Sequence, residues 1–130
     1  MAMKMKWLLL WGPVVGYCLL IFAGSAQITF TAPGGSDKIA HVVEYSVLGV
    51  LWARAARATW ATWTWRAVFI STIVFTGMYG ASDELHQFYV PGRFSAVSDA
   101  VADLCGGTLG GIIYLRWQMA YGKWQELSVP

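Results

Sequence analysis

The distribution of charge constrains this sequence more than any other feature, because long parts of the chain carry none. No charged residue occurs at residues 7–36, and three further strongly apolar runs follow. A helix needs about 20 predominantly apolar residues to cross a bilayer. Charged residues make up 12% of the chain and hydrophobic residues 57%, whereas roughly 25% of an ordinary soluble domain is charged. The pattern therefore predicts an integral membrane protein.

Helix-breaking segments divide the chain into four predicted helices. Pro and Gly at residues 33–35 and 91–92 favour turns, and the Trp- and Thr-rich stretch at residues 58–65 is typical of a loop at the lipid headgroups. We predict an all-α fold: a polytopic membrane protein with a four-transmembrane-helix bundle, in a single domain over residues 1–130. The predicted helices cover about residues 7–28, 38–56, 67–87 and 96–117, with a short polar tail at residues 118–130.

The first of these helices has a second interpretation. The small residues at positions 23–26 are typical of a signal-peptide cleavage site. However, the apolar part is longer than the usual core of a signal peptide, which is about 7–15 residues, and three further membrane segments follow. We therefore favour a retained first helix over a cleaved signal peptide.

The basic residues predict the orientation, because cytoplasmic loops of membrane proteins carry an excess of Lys and Arg. With both termini cytoplasmic, seven of the nine basic residues lie inside, namely Lys4, Lys6, Arg54, Arg57, Arg66, Arg116 and Lys123. All eight Trp also fall towards the inner half. The sequence thus predicts a multi-pass protein of the cell (plasma) membrane.

The same orientation places six of the seven acidic residues in the outer half of the bundle, namely Asp37, Glu44, Asp83, Glu84, Asp99 and Asp103. Both histidines, Lys38 and Arg93 lie there too. A carboxylate facing lipid is costly, so these groups should face one another, water or cations. Six carboxylates outnumber two permanent cations. We expect some of them to be protonated, or a cation or cationic ligand to be recruited; a polar plug that only fixes helix packing is the alternative.

On the predicted faces of helices three and four, glycines lie on the cytoplasmic side of the carboxylates. They are Gly77 and Gly80 on helix three, and Gly106, Gly107, Gly110 and Gly111 on helix four. The last four form two interleaved GxxxG pairs, which allow helix backbones to approach closely in lipid. We predict that these glycines bring the helices together.

The candidate site residues come from helices two to four and from the turn after helix three. The candidate binding residues are Asp37, Lys38, His41, Tyr45, Glu84, Gln87, Arg93, Asp99 and Asp103, and the candidates for acid–base catalysis are His41, Glu84 and Asp99. His86 lies off the face that carries Glu84, so we interpret it as an interfacial residue.

Some of these residues are also potential metal ligands. His41 and Glu44, three residues apart, could supply one together with Glu84, but no pattern of two His on one helix with Glu between them occurs. We predict neither a metal nor another cofactor. Cys18 and Cys105 lie in apolar runs, and we interpret both as buried small hydrophobes rather than a disulfide.

Three groups of residues carry a resemblance to a known family. They are DKIAH at residues 37–41 with Tyr45, Leu48 and Gly49; ELHQF at residues 84–88 with PGR at residues 91–93; and Asp99, Asp103, Gly106 and Gly110. In order and spacing they resemble the VanZ-like family of integral membrane proteins over about residues 36–115. That family usually has Asn at position 103, so Asp103 must be protonated to donate the hydrogen bond that an amide would donate to a carboxylate.

The resemblance implies a protein of the cell envelope, in a family named for association with resistance to the glycopeptide teicoplanin, and it implies no reaction. Our leading hypothesis is a protein embedded in the lipid bilayer that binds an outer-leaflet lipid or cell-wall precursor headgroup, with Lys38 and Arg93 contacting its anionic group. The alternatives are an intramembrane acid–base enzyme acting on such a headgroup, a proton- or ion-coupled transporter working as a homo-oligomer, and a purely structural cluster. The net charge of +2 is too small to indicate a nucleic-acid partner.

Overall fold

The protein consists of four α-helices. A computed structural model describes the backbone of residues 2–26, 36–92 and 95–128, and the side chains of residues 4–26, 38–92 and 95–122. The helices are α1 (Ala2–Ser25), α2 (Ser36–Thr59), α3 (Trp65–Tyr89) and α4 (Val97–Ser128). The described residues contain no β-strand, so the predicted all-α fold with four helices is confirmed.

Local sequence signals set the boundaries of α3 and the start of the following turn. Thr64 caps the N-terminus of α3, where its Oγ1 accepts a hydrogen bond from the Ala67 N–H at 3.2 Å. At the other end the helix stops before the predicted break, and Gly92 adopts a left-handed conformation with φ 84°.

The end of α4 differs from the prediction. The predicted helix ends near residue 117, whereas α4 continues through most of the polar tail to Ser128. Gln, Met, Ala, Lys, Glu and Leu dominate this stretch, and it contains no Pro before residue 130. These residues favour helix even where they have no apolar face to bury.

The helices alternate in direction around a central α2–α4 pair. The α2–α4 interface is the most extensive, α3 packs against both of these helices, and α1 lies against α2 and α3. In the N-terminal half of α1, Trp11 Nε1 donates to Thr59 Oγ1 at 3.0 Å. At the opposite end, Ser25 Oγ lies 3.3 Å from His86 Nδ1. The N-terminus of α1 therefore shares one end of the bundle with the α2–α3 turn.

Glycines allow α4 to lie unusually close to its two neighbours. A Cβ added to Gly106 would lie 2.5 Å from the Val42 carbonyl oxygen of α2, and one added to Gly110 would overlap the Ser46 carbonyl oxygen. On the other face of α4, a Cβ on Gly107 would overlap the Thr76 side chain of α3. The two interleaved GxxxG pairs therefore face two different helices, α2 through Gly106 and Gly110 and α3 through Gly107.

Much of the outer surface is apolar. Leu8 and Leu19 of α1 are 71% and 63% exposed, and Val97 at the start of α4 is 84% exposed. By length and composition, α1 (residues 4–25) is the one described helix that could cross a membrane. Cys18 and Cys105 are free thiols. The prediction that both are buried is wrong: Cys18 is only half-buried, and Cys105 is exposed on the outward face of α4 beside Leu104 and Leu109.

Gly110→Ala should destabilise the protein, because the new methyl group meets the α2 backbone rather than a flexible side chain. Overpacking of this kind costs about 1–3 kcal/mol, more than the roughly 0.5–1 kcal/mol that Ala gains over Gly in a helix. Thermal unfolding of the detergent-solubilised protein measures the effect. Gly16→Ala is the matched control, since no atom lies within 4 Å of its added Cβ; a stable Gly110→Ala variant would show that the helices are less closely packed.

Candidate functional site

Buried polar side chains from α2, α3 and α4 meet at the end of the bundle where α3 ends and α4 begins. Six of them are at most 6% exposed, and we call these six the acidic cluster: His41, Asp83, Glu84, Gln87, Asp99 and Asp103. Four of the six are carboxylic acids. Buried charges are rare unless they are paired or bind a cation, so this end of the bundle requires a specific explanation.

The centre of the acidic cluster is a contact between α2 and α4. His41 Nδ1 lies 2.8 Å from Asp103 Oδ1, and Asp103 is fully buried. Gly80 of α3 makes room for this carboxylic acid, because a Cβ there would lie 2.8 Å from the Asp103 Cβ. The contact fixes the orientation of the imidazole ring and leaves Nε2 as the ring nitrogen that faces away from Asp103.

Glu84 joins the end of α3 to the start of α4. Its Oε2 accepts hydrogen bonds from Ser95 Oγ at 3.0 Å and from the Ala96 N–H at 2.9 Å. Its other oxygen, Oε1, is buried and has no hydrogen-bond partner among the described residues. Glu84 is thus held firmly at one oxygen while the second can accept another ligand.

Lys38 lies at the rim of the acidic cluster. Its Nζ donates to Asp99 Oδ1 at 2.7 Å and to Ser98 Oγ at 2.6 Å. The Lys38 side chain is 51% exposed, whereas that of Asp99 is 9% exposed. This ion pair marks the place where the buried groups meet the exterior.

Hydrogen-bond acceptors outnumber donors inside the acidic cluster. Gln87 Nε2 donates to Asp83 Oδ2 at 3.0 Å, but Asp83 Oδ1 and Asp103 Oδ2 join Glu84 Oε1 as buried oxygens without a partner in the described part of the chain. Leaving a buried polar group unpaired costs about 1–3 kcal/mol. The site is therefore suited to a ligand that brings hydrogen-bond donors or positive charge.

One group within the cluster has the composition of a metal site. His41, Glu84 and Asp99 each offer one ligand atom, and these three atoms lie within 4.8 Å of one another. The sequence suggested His41, Glu44 and Glu84 as potential metal ligands, whereas in the structure Asp99 takes the place of Glu44. Glu44 is only half-buried and does not belong to this group.

Comparison with known proteins places the chain in a family. The family model described as VanZ/LLP1 matches residues 6–118, which include most of α1 and α4 and all of α2 and α3. The chain belongs to the VanZ/LLP1 family. No curated protein and no solved structure matches it significantly. The family is generally membrane-associated, which agrees with the apolar exterior of the bundle.

Most of the predicted binding residues of this VanZ/LLP1 protein lie in or beside the acidic cluster. The structure brings together Lys38, His41, Glu84, Gln87, Asp99 and Asp103. Tyr45, one turn after His41, is fully buried and its hydroxyl has no partner among the described residues. Arg93 and the side chain of Asp37 lie outside the described residues. The roles of all these residues in binding or catalysis stay predictions.

Sequence reasoning missed three residues of this site. Asp83 was not selected, although it precedes Gln87 by one helical turn and the two side chains bond to each other. Ser95 and Ser98 are not among the predicted site residues, yet they donate or accept hydrogen bonds at the start of α4. Their position just before and within the first turn of a helix was the available signal. His86 lies outside the cluster, with its ring stacked 4.1 Å from that of Phe22.

Replacing Asp103 should separate the hydrogen-bonding role of this residue from its charge. Asp103→Asn keeps an oxygen for the His41 N–H and matches the residue usual in the family, so stability should change by less than about 1 kcal/mol. Asp103→Leu removes the oxygen that lies 2.8 Å from His41 Nδ1 and should cost about 1–3 kcal/mol. Chemical denaturation in detergent compares the two; equal stability would mean that the contact with His41 contributes nothing.

Proposed function

We propose that this VanZ/LLP1 protein crosses the membrane four times, with both termini in the cytoplasm. Exposed apolar side chains on all four helices support this, for example Leu20, Val43, Ile70 and Ile113, which are between 49% and 60% exposed. Contacts of α1 with α2 and α3 support a retained first span. α2, α3 and α4 carry more polar groups than an isolated span, and the six residues of the acidic cluster are buried between these helices.

The orientation rests on the two ends of the bundle having opposite character. The described basic residues Arg54, Arg57, Arg66 and Arg116 are exposed towards one end, whereas the acidic cluster and Lys38 lie at the other. The excess of Lys and Arg belongs on the cytoplasmic side. The acidic cluster then opens to the outer leaflet of the membrane.

Cysteine labelling in intact cells should verify this topology. In a chain lacking Cys18 and Cys105, a membrane-impermeant maleimide should label Val97→Cys at the start of α4 but not Thr62→Cys in the α2–α3 turn. Both positions are exposed, so both should react once the membrane is permeabilised. Labelling of Thr62→Cys in intact cells would contradict the proposed orientation.

We infer that the acidic cluster binds the polar headgroup of an outer-leaflet lipid or a cell-wall precursor. The observation that carries this proposal is the set of three buried carboxylic oxygens that receive no hydrogen bond from the described residues, in a cluster that meets the exterior at Lys38. A headgroup that combines hydroxyl or ammonium groups with an anionic group would suit both the buried carboxylic oxygens and Lys38. Its donors would satisfy the carboxylic oxygens, and its anionic group would contact Lys38.

A second candidate function is acid–base catalysis on such a headgroup. The observation in its favour is the His41–Asp103 contact, because a carboxylic group that orients an imidazole is the usual support of a histidine general base. Glu84 and Asp99 have oxygens within 4.8 Å of a His41 ring nitrogen. They could accept or return a proton during a reaction, whereas simple binding does not require this arrangement.

Mass spectrometry of lipids that copurify with the protein tests headgroup binding. The wild-type protein should retain a lipid selected by its headgroup, and Lys38→Gln should retain about tenfold less of it, the effect of losing roughly 1.4 kcal/mol. Lys6→Gln, which changes an exposed lysine of α1, should retain as much as the wild type. Arg93→Ala extends the comparison to the second predicted cation.

The outcomes of that experiment distinguish the two functions. Identical lipids bound to the wild type, Lys38→Gln and Arg93→Ala would remove the main support for headgroup binding. A chemically altered headgroup that appears with the wild type and disappears with Glu84→Gln, in a variant of unchanged helix content, would favour the enzyme. Loss of the fold in Glu84→Gln would instead favour a structural role for the cluster.

A further inference from the structure

Three potential metal ligands converge inside the acidic cluster from three different helices. His41 of α2, Glu84 of α3 and Asp99 of α4 are each 6% exposed, and their ligand atoms lie within 4.8 Å of one another. Around a tetrahedral zinc ion with bonds of about 2.0–2.2 Å, the ligand atoms lie roughly 3.4 Å apart. The observed separations, up to 4.8 Å, exceed this spacing, so metal binding requires the three side chains to move closer together.

The imidazole is oriented as in known metal sites. A histidine that binds a metal usually donates its other ring N–H to a carboxylate, which fixes the tautomer and the direction of the ring. Asp103 Oδ1, 2.8 Å from His41 Nδ1, provides this contact. Since this contact uses Nδ1, the ligand atom that we assign to His41 is Nε2.

Both carboxylates are held at one oxygen by the surrounding structure. Glu84 Oε2 accepts from Ser95 Oγ and the Ala96 N–H, and Asp99 Oδ1 accepts from Lys38 and Ser98. Glu84 Oε1 is buried without a hydrogen-bond partner among the described residues. Glu84 is only 6% exposed. A buried and oriented oxygen that has no donor among the described residues indicates a ligand that is not itself a hydrogen-bond acceptor.

The charge of the cluster also favours a cation. Asp83, Glu84, Asp99 and Asp103 are all buried, and Lys38 is the one permanent cation bonded to them in the described part of the chain. A divalent ion would be the largest local charge and would stabilise the ionised carboxylates.

From these observations we propose that His41, Glu84 and Asp99 bind one divalent transition-metal ion. Zn²⁺ fits this ligand set best, because it accepts histidine nitrogen together with carboxylate oxygen, and three protein ligands leave a fourth position for a small molecule. Mg²⁺ and Ca²⁺ prefer sites composed only of oxygen. This proposal goes beyond headgroup binding and does not depend on it.

Titration of the full-length, chelator-treated protein in detergent with Zn²⁺ alone tests the site. Isothermal titration calorimetry should show one Zn²⁺ per chain, and elemental analysis after gel filtration should recover the same ratio. His41→Ala, Glu84→Gln and Asp99→Asn should each weaken binding at least tenfold. Because the last two substitutions barely change side-chain shape, they decide the question even where His41→Ala fails to fold.

Two matched controls exclude a general effect of nearby charge or of histidine. His86→Ala removes the other histidine, which contacts Ser25 and Phe22 rather than the acidic cluster. Glu44→Gln removes the acid three residues from His41 that lies outside the ligand group. Both variants should bind Zn²⁺ within about twofold of the wild type. Equal binding by the wild type, Glu84→Gln and Asp99→Asn would overturn the proposal, as would no saturable binding by the wild type up to about 1 mM Zn²⁺.

Lys38→Gln separates metal binding from headgroup binding. The Lys38 ammonium competes with a metal for Asp99, so its removal should leave Zn²⁺ affinity unchanged or raise it several-fold. The same substitution should reduce retention of a lipid headgroup. Weaker Zn²⁺ binding by Lys38→Gln would overturn the assigned ligand set, while its effect on copurified lipid reports only on the headgroup proposal.

Discussion

The close approach of α2 and α4 is the constraint on which the rest of this structure depends. Gly106 lies against the backbone of Val42, and Gly110 against that of Ser46, at distances that no side chain would permit. Val42 follows His41 directly, and Gly106 follows Asp103 by about one turn. The 2.8 Å contact between His41 and Asp103 is therefore the next layer of the same interface. Without these glycines the two helices would stand too far apart for the polar pair to form.

The buried polar residues of α3 are of two kinds, and the difference separates scaffold from site. Thr72 and Thr76 are fully buried, but each donates to a carbonyl of its own helix at 2.8 Å and needs no other partner. Asp83 and Glu84, nearer the C-terminus of the same helix, have oxygens that receive no hydrogen bond from the described residues. If these residues served only helix packing, side chains that form their hydrogen bonds within their own helix, as the two threonines do, would be sufficient. The surplus of acceptors at one end is therefore what favours a ligand there.

The location of this surplus also suits the membrane-associated family to which the chain belongs. The acidic cluster meets the exterior at Lys38, between the start of α2 and the start of α4. A groove of about 570 Å³ lies elsewhere, between α3 and α4, and is lined mainly by apolar side chains together with Arg57 and Arg116. The side chains that line this groove include no acid and no histidine. Chemistry rather than volume identifies the acidic cluster as the candidate site.

The sequence by itself determined the four helices, the family resemblance and the set of polar residues at one end, because apolar run length, helix breakers and charge placement are local properties. It also indicated the GxxxG pairs, but not that Gly106 and Gly107 face different helices. Only the tertiary structure decided which polar groups meet: Asp99 rather than Glu44 joins His41 and Glu84, and Asp83 belongs to the cluster. Helical spacing defines the face of one helix, whereas contact across helices depends on their relative rotation and depth, which packing alone determines.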